Sequence, residues 1–152
     1  MDFRVIISAL TVVVEFAGIV KAREHLAQAE STYRSEDGLH HLREGIAILE
    51  EILLDDDSEH ETVARNLLST YSARICDSIR KQIETTPGLP EPELEHLFKV
   101  LVAFDSADLE LPEYVRSLKI DVVRRLIDRY YEGYSDADKQ KMLEQLADIA
   151  RS

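Results

Sequence analysis

The chain has 152 residues, 45% of them hydrophobic and 32% charged, with 30 acidic against 18 basic residues and a net charge of -12. That length fits one domain with its own core; the composition excludes a disordered chain, and five Gly and four Pro are too few for the turns of an all-β fold. The charge sets the molecule against nucleic-acid phosphates and anionic membrane surfaces, which leaves a protein or peptide as the expected partner.

Phe3 to Val20 opens the chain and is apolar nearly all round, apart from Arg4, Ser8, Thr11 and Glu15. A signal peptide is disfavoured because Arg4 is offset by Asp2, Glu15 breaks the apolar run, and Gly18 leads straight into helix with no A-x-A site directly after the run. A membrane span is disfavoured because an acid in mid-span costs about 2.5 to 3.5 kcal/mol on insertion scales. The expectation is a core helix packed on several sides, with no membrane span. The helix is predicted to start near Asp2 and reach about Tyr33, bending near Gly18, since Val20, Leu26, Ala29 and Tyr33 recur at helical intervals.

Ser35 to Gly38 makes the turn, with Asp37 as the expected N-cap of a second helix from about Leu39 to Leu54, whose inner side is Leu42, Ile46, Leu49 and Leu53. Asp55 to Asp57 ends it. Ser58 and Glu61 fit a capping box opening a third helix, which Leu67, Leu68, Tyr71, Ile75, Ile79 and Ile83 sustain to about Glu84. The segment TTPGLPEP then divides a helical half, 1–85, from a second, 93–152, through the linker 86–92.

Glu93 to Phe104 reads as a short fourth helix with Leu94, Leu97, Phe98, Leu101 and Val102 inward, followed by a loop from Asp105 to Leu111. Pro112 opens a fifth, where Val115, Leu118, Val122, Leu126 and Tyr130 repeat every three or four residues before the stop at Gly133. Ser135, answered by Asp138, caps a sixth, with Met142, Leu143, Leu146, Ile149 and Ala150 inward. The expected fold is all-α: one domain, 1–152, forming an antiparallel bundle or short superhelix of about six helices.

Gly45 and Leu49, four residues apart, with Ile52 and Leu53 after them, and Leu67 with Tyr71 in the next helix, match the small and large positions of a helical repeat. Ala29 and Tyr33 match the preceding helix in the same way. Over roughly residues 29–71 the chain resembles a tetratricopeptide repeat, the helix-turn-helix unit of about 34 residues. It departs where Leu68 replaces a small residue, Ala64 an aromatic and Asp57 a proline. REGIAILEEIL is also similar to a segment of the mitochondrial fission adaptor family, which is built on the same repeats. The resemblance implies paired helices in the first half, with Gly45, Leu49, Ile52 and Leu67 as structural positions. It further implies a concave surface that binds a peptide or helix of a partner, and Arg43, Arg74, Tyr33 and Tyr71 are the contact residues expected on it.

Candidate chemistry is sparse. Asp37 with His40, Asp57 with His60 and Glu93 with His96 have the carboxylate-x-x-histidine spacing of di-iron helical bundles, but 30 acids in 152 residues make such spacings common. Adjacent His40 and His41 point about 100° apart on a helix, and no third ligand stands at a telling spacing. Cys76 cannot form an internal disulfide, lies mid-helix beside Ile75 and Asp77, and reads as a packed thiol in a reducing compartment. The acidic run from Asp55 to Glu61 reads as helix capping. Arg116, Lys119, Arg124, Arg125 and Arg129, next to Tyr130, Tyr131 and Tyr134, make a second contact surface whose charge is partly offset by Asp121 and Asp128 one turn away.

No nucleotide or hydrolase signature occurs. The expectation is a cytoplasmic, non-enzymatic interaction domain without cofactor or metal. The alternatives are a ferritin-like metal-binding enzyme using Glu93 and His96, and a homo-oligomeric assembly module joined through the first helix.

Overall fold

The computed structural model describes residues 3–55, 59–105 and 113–151. Within them the chain forms six helices and no strand: α1 Phe3–Thr32, α2 Glu36–Leu53, α3 Glu61–Thr85, α4 Glu91–Ala103, α5 Glu113–Tyr130 and α6 Asp136–Arg151. The all-α fold read from the sequence is therefore the fold of the protein.

The helix ends have local causes. Ser35, not Asp37, caps α2: its hydroxyl accepts the Gly38 N–H at 3.0 Å, and Asp37 falls in the first turn, where a carboxylate suits the helix dipole. The shift follows from the tight turn, because a Cβ on Gly38 would lie 1.8 Å from the Thr32 carbonyl oxygen. Pro92 sits in the first turn of α4, where its missing N–H costs no hydrogen bond. Gly133 adopts a φ of 99° just beyond α5, and the Asp138 N–H donates to the Ser135 hydroxyl at 3.2 Å to start α6. Ser58, Asp57 and Pro112 lie outside the described residues, as do the side chains of Leu146, Ile149 and Ala150. The third helix begins at Glu61 with His60 at its N-cap position, two residues later than a Ser58 cap implies.

α1 and α2 form an antiparallel hairpin. Gly18 faces Ile48 and Ile52, and Gly45 faces Ala22 and Leu26, where an added Cβ would stand 3.0 Å from Leu26 Cγ and 3.3 Å from the Ala22 carbonyl oxygen. Gly45 is thus a second close approach of the two helices, away from the turn at Gly38. α3 runs parallel to α1, as the pairs Glu15 with His60, Glu30 with Arg74 and Tyr33 with Gln82 advance along both helices together. α3 also touches α2 and α5, α2 touches α4, α4 touches α5, and α6 packs on α5. Two staggered layers result, with α1, α3 and α5 in one and α2 and α4 in the other.

A single buried cluster runs through both layers from Ile19 to Leu126, including Leu26, Leu42, Leu49, Leu68, Ile75, Leu97, Phe104 and Val122. Leu49 and Ile52 are core residues, and Leu67 is half-buried against the cluster. Val20, Val102 and Tyr130, expected inside, are exposed, because each lies at the margin of its helix's apolar stripe.

The beginning of α1 departs most from expectation. The apolar run predicts a core helix packed on several sides, yet Phe3, Val5, Ile6, Ile7, Leu10, Val13, Val14 and Phe16 are between 37% and 72% exposed. Length explains it: α1 has 30 residues and α2 has 18, or about 45 Å against about 27 Å at 1.5 Å per residue. With Ile48 and Ile52 of α2 already opposite Gly18, the helix before Glu15 projects beyond the hairpin. α1 continues through Gly18 as one helix.

Candidate functional site

Where α1, α3 and α4 converge, the end of α1 forms a polar notch. Tyr33 is buried, and its hydroxyl donates to Gln82 Oε1 at 2.9 Å. Leaving either group unpaired there would cost about 1–3 kcal/mol. His96 of α4 reaches the same place: its Nε2 donates to the Tyr33 carbonyl at 2.7 Å, while its Nδ1 lies 3.4 Å from Glu36 Oε1. Arg34 places its guanidinium 5.8 Å from the centre of the Tyr33 ring. Arg34, Gln82, Glu93, His96 and Leu97 line a cavity of about 120 Å³. That volume accepts a side chain, being well below the roughly 300–1,000 Å³ of small-molecule sites.

The arrangement recurs one helix along the same layer. Tyr71 of α3 is buried, Arg74 lies 5.5 Å from its ring centre, and the Arg74 guanidinium is 3.6 Å from Glu30 of α1. Further along, Arg80 and Lys81 hold Asp77 at 2.5 and 3.1 Å; the Lys81 hydrogen bond, with help from Arg80, keeps that carboxyl below its ordinary value. Cation–π placement at exposed sites is worth about 0.5–1 kcal/mol, enough to bias the rotamers of Arg34 and Arg74 before anything binds.

The expected contact residues separate into two groups. Arg74 is exposed on the α1–α3 layer, whereas Arg43 is exposed on α2, in the other layer. Tyr33 and Tyr71 are 7% and 8% exposed, so they belong to the core and support the arginines instead of meeting a partner. Sequence reasoning missed Arg34 and Gln82. Gln82 carried a signal, a polar residue three positions after Ile79 on the apolar side of α3.

Four of the five histidines make contacts within the fold. His96 turns toward Tyr33 and Glu36, not Glu93; His41 sets its Nδ1 2.9 Å from that of His25, one ring donating and the other accepting; His60 donates from Nδ1 to Glu15 at 3.1 Å. Among the described residues no group of three or more His, Cys, Asp or Glu side chains is placed to hold a metal ion. Cys76 is fully buried, which pushes its thiol up to about 12 and away from nucleophilic chemistry at neutral pH. On α5, Arg125 pairs with Asp121, while Asp128 turns to Lys139 of α6 and Lys119 to Asp105.

The projecting part of α1 is the second feature that calls for a function. At 100° per residue, Arg4, Thr11, Glu15, Ala22, Leu26, Ala29 and Tyr33 follow one line along the helix. From Ala22 onward that line is the buried one. Before Ala22 it carries Arg4, Thr11 and Glu15, and the apolar residues occupy the rest of the circumference, exposed from Phe3 to Val14. No family model, curated protein or solved structure matches the chain.

Proposed function

We propose that the protein is a non-enzymatic docking domain that takes a segment of a partner protein on its α1–α3 layer, with Arg34 and Arg74 receiving carboxylates of that segment. The observation that carries this reading is the repeated device of an exposed arginine held over a buried tyrosine, at Tyr33 with Arg34 and at Tyr71 with Arg74. Two preset guanidiniums, one in the turn between α1 and α2 and one on α3, suit an extended or helical peptide, since fixing their rotamers beforehand lowers the ordering cost of binding. The cavity beside Arg34 has room for one anchoring side chain. Tetratricopeptide-like pairing of α1 with α2 remains the proposed family relation.

Selection of peptides from a random display library, followed by titration of synthetic copies, tests the reading. Peptides carrying an acidic residue or a free carboxyl terminus are expected to emerge, and Arg34→Ala with Arg74→Ala to weaken them about ten-fold or more, as loss of charge-assisted hydrogen bonds does. Binding unchanged in the double variant would refute the assignment of these arginines.

A further inference from the structure

We propose that the projecting end of α1, from Phe3 to about Phe16, is inserted in a lipid bilayer that holds the helical domain at its surface. The apolar circumference of this end is the first reason. Every described residue from Phe3 to Val14 is exposed, Arg4 and Thr11 included, so no described part of the fold covers it; the polar residues Arg4, Thr11 and Glu15 occupy one narrow line, and Phe3, Val5, Ile6, Ile7, Leu10, Val13 and Val14 make up most of the rest of the circumference.

Area separates the possible occupants. The exposed apolar side chains of this end present on the order of 800 Å², beyond the 300–600 Å² of the largest patch on a typical monomer. They span roughly 200° of arc at 100° per residue, so a second copy packed along one side would cover about half of them. That half, about 400 Å², falls short of the roughly 800 Å² per partner of a standard stable interface. Lipid covers the whole arc.

The polar groups are suited to such a place. The Thr11 hydroxyl donates to the Ile7 carbonyl at 3.0 Å, so it brings no unmet donor. Glu15 is paired with His60 at 3.1 Å, and the two side chains are only 11% and 17% exposed, which removes the isolated mid-helix acid that counts most against insertion. Around that pair Phe16, Leu54 and Val63 are exposed, an apolar rim at the end of the bundle nearest the membrane. Lys21 and Arg23 stand exposed two turns above it, within reach of headgroup phosphates. Phe3 to Phe16 is about 21 Å of helix, less than the ~30 Å hydrocarbon layer, so this end enters the bilayer without crossing it.

The test is flotation of the full chain with phosphatidylcholine vesicles after removal of mild detergent. The wild-type chain is expected to float and to stay bound in high salt. Anionic lipid should add nothing, because the net charge is -12 and Asp55 and Glu59 lie at the same end. Leu10→Asp with Val13→Asp should cut partitioning about a thousand-fold or more on insertion scales while circular dichroism and melting stay unchanged, since both positions are exposed. A Val13→Trp variant should show blue-shifted fluorescence quenched by brominated lipid. Three results would overturn the proposal: a wild-type chain left in the aqueous fraction, an aspartate variant that floats like wild type, or a lipid-free oligomer of defined mass that the aspartate pair converts to monomer. Recovery from cells of a mature chain cleaved after Phe16 would overturn it too.

Discussion

The two ends of α1 are one continuous helix in opposite surroundings. From Ile19 to Tyr33 it has an ordinary pattern, with Ala22, Leu26 and Ala29 fully buried against α2 and charged residues such as Lys21, Arg23 and Glu24 facing out. From Phe3 to Val14 every described residue is exposed, and most of them are apolar. Apolar content is therefore a poor guide to burial; the angular position of the few polar residues relative to the packed line says which environment each part is built for. The hairpin partner sets where the change occurs, because α2 ends opposite the residues just before Gly18.

The sharpest way to break this comparison is to truncate equivalent leucines in the two halves. Leu26→Ala should destabilise by about 2–5 kcal/mol, a loss of transfer energy plus a cavity, and Leu10→Ala by less than about 0.5 kcal/mol in lipid-free buffer, as judged by urea unfolding. Comparable losses at both sites would show that the projecting end is packed. Gly45→Leu comes next. Its side chain would press on Leu26 and the Ala22 carbonyl where the bodies of the two helices meet, and about 1–3 kcal/mol of overpacking should lower the melting temperature by several degrees.

Removing the α2 cap probes the far end of the packed half. Ser35→Ala should cost about 1 kcal/mol, and Asp37→Ala less, because Ser35 holds the capping hydrogen bond.

The smallest effect concerns Cys76. Its folded thiol is raised from 9.0 to about 12 by burial, so the unfolded chain releases the proton first as pH rises. The native state binds more protons between those values, and stability is full below about pH 9 and declines toward pH 12. Native protein at pH 8 should resist thiol labelling, with reaction appearing only on unfolding.

Much of the fold was legible in the sequence because its punctuation is local. Pro87 and Gly88 stop α3, Pro92 starts α4, Gly133 stops α5 and Ser135 caps α6, and each acts within one turn of its own position. Ser35 was displaced by Asp37 in that reading because both are good caps two residues apart, and only the close approach of Gly38 to Thr32 decides between them. The site was harder to see. Glu15 with His60, His25 with His41, and Tyr33 with Gln82 join residues 45, 16 and 49 positions apart, and no periodicity announces such pairs. Tyr33 and Tyr71 were correctly placed on inward-facing helical positions, and for that same reason they cannot offer a partner their rings.

Site-resolved amide hydrogen exchange, with and without phosphatidylcholine vesicles, tests the division of α1 most directly. The account predicts strong protection from Ile19 to Tyr33 in both conditions, and protection between Val5 and Val14 that rises about ten-fold or more only when vesicles are present, as the solvated turns leave water. Equal protection along the whole helix in lipid-free, monomeric protein would contradict it.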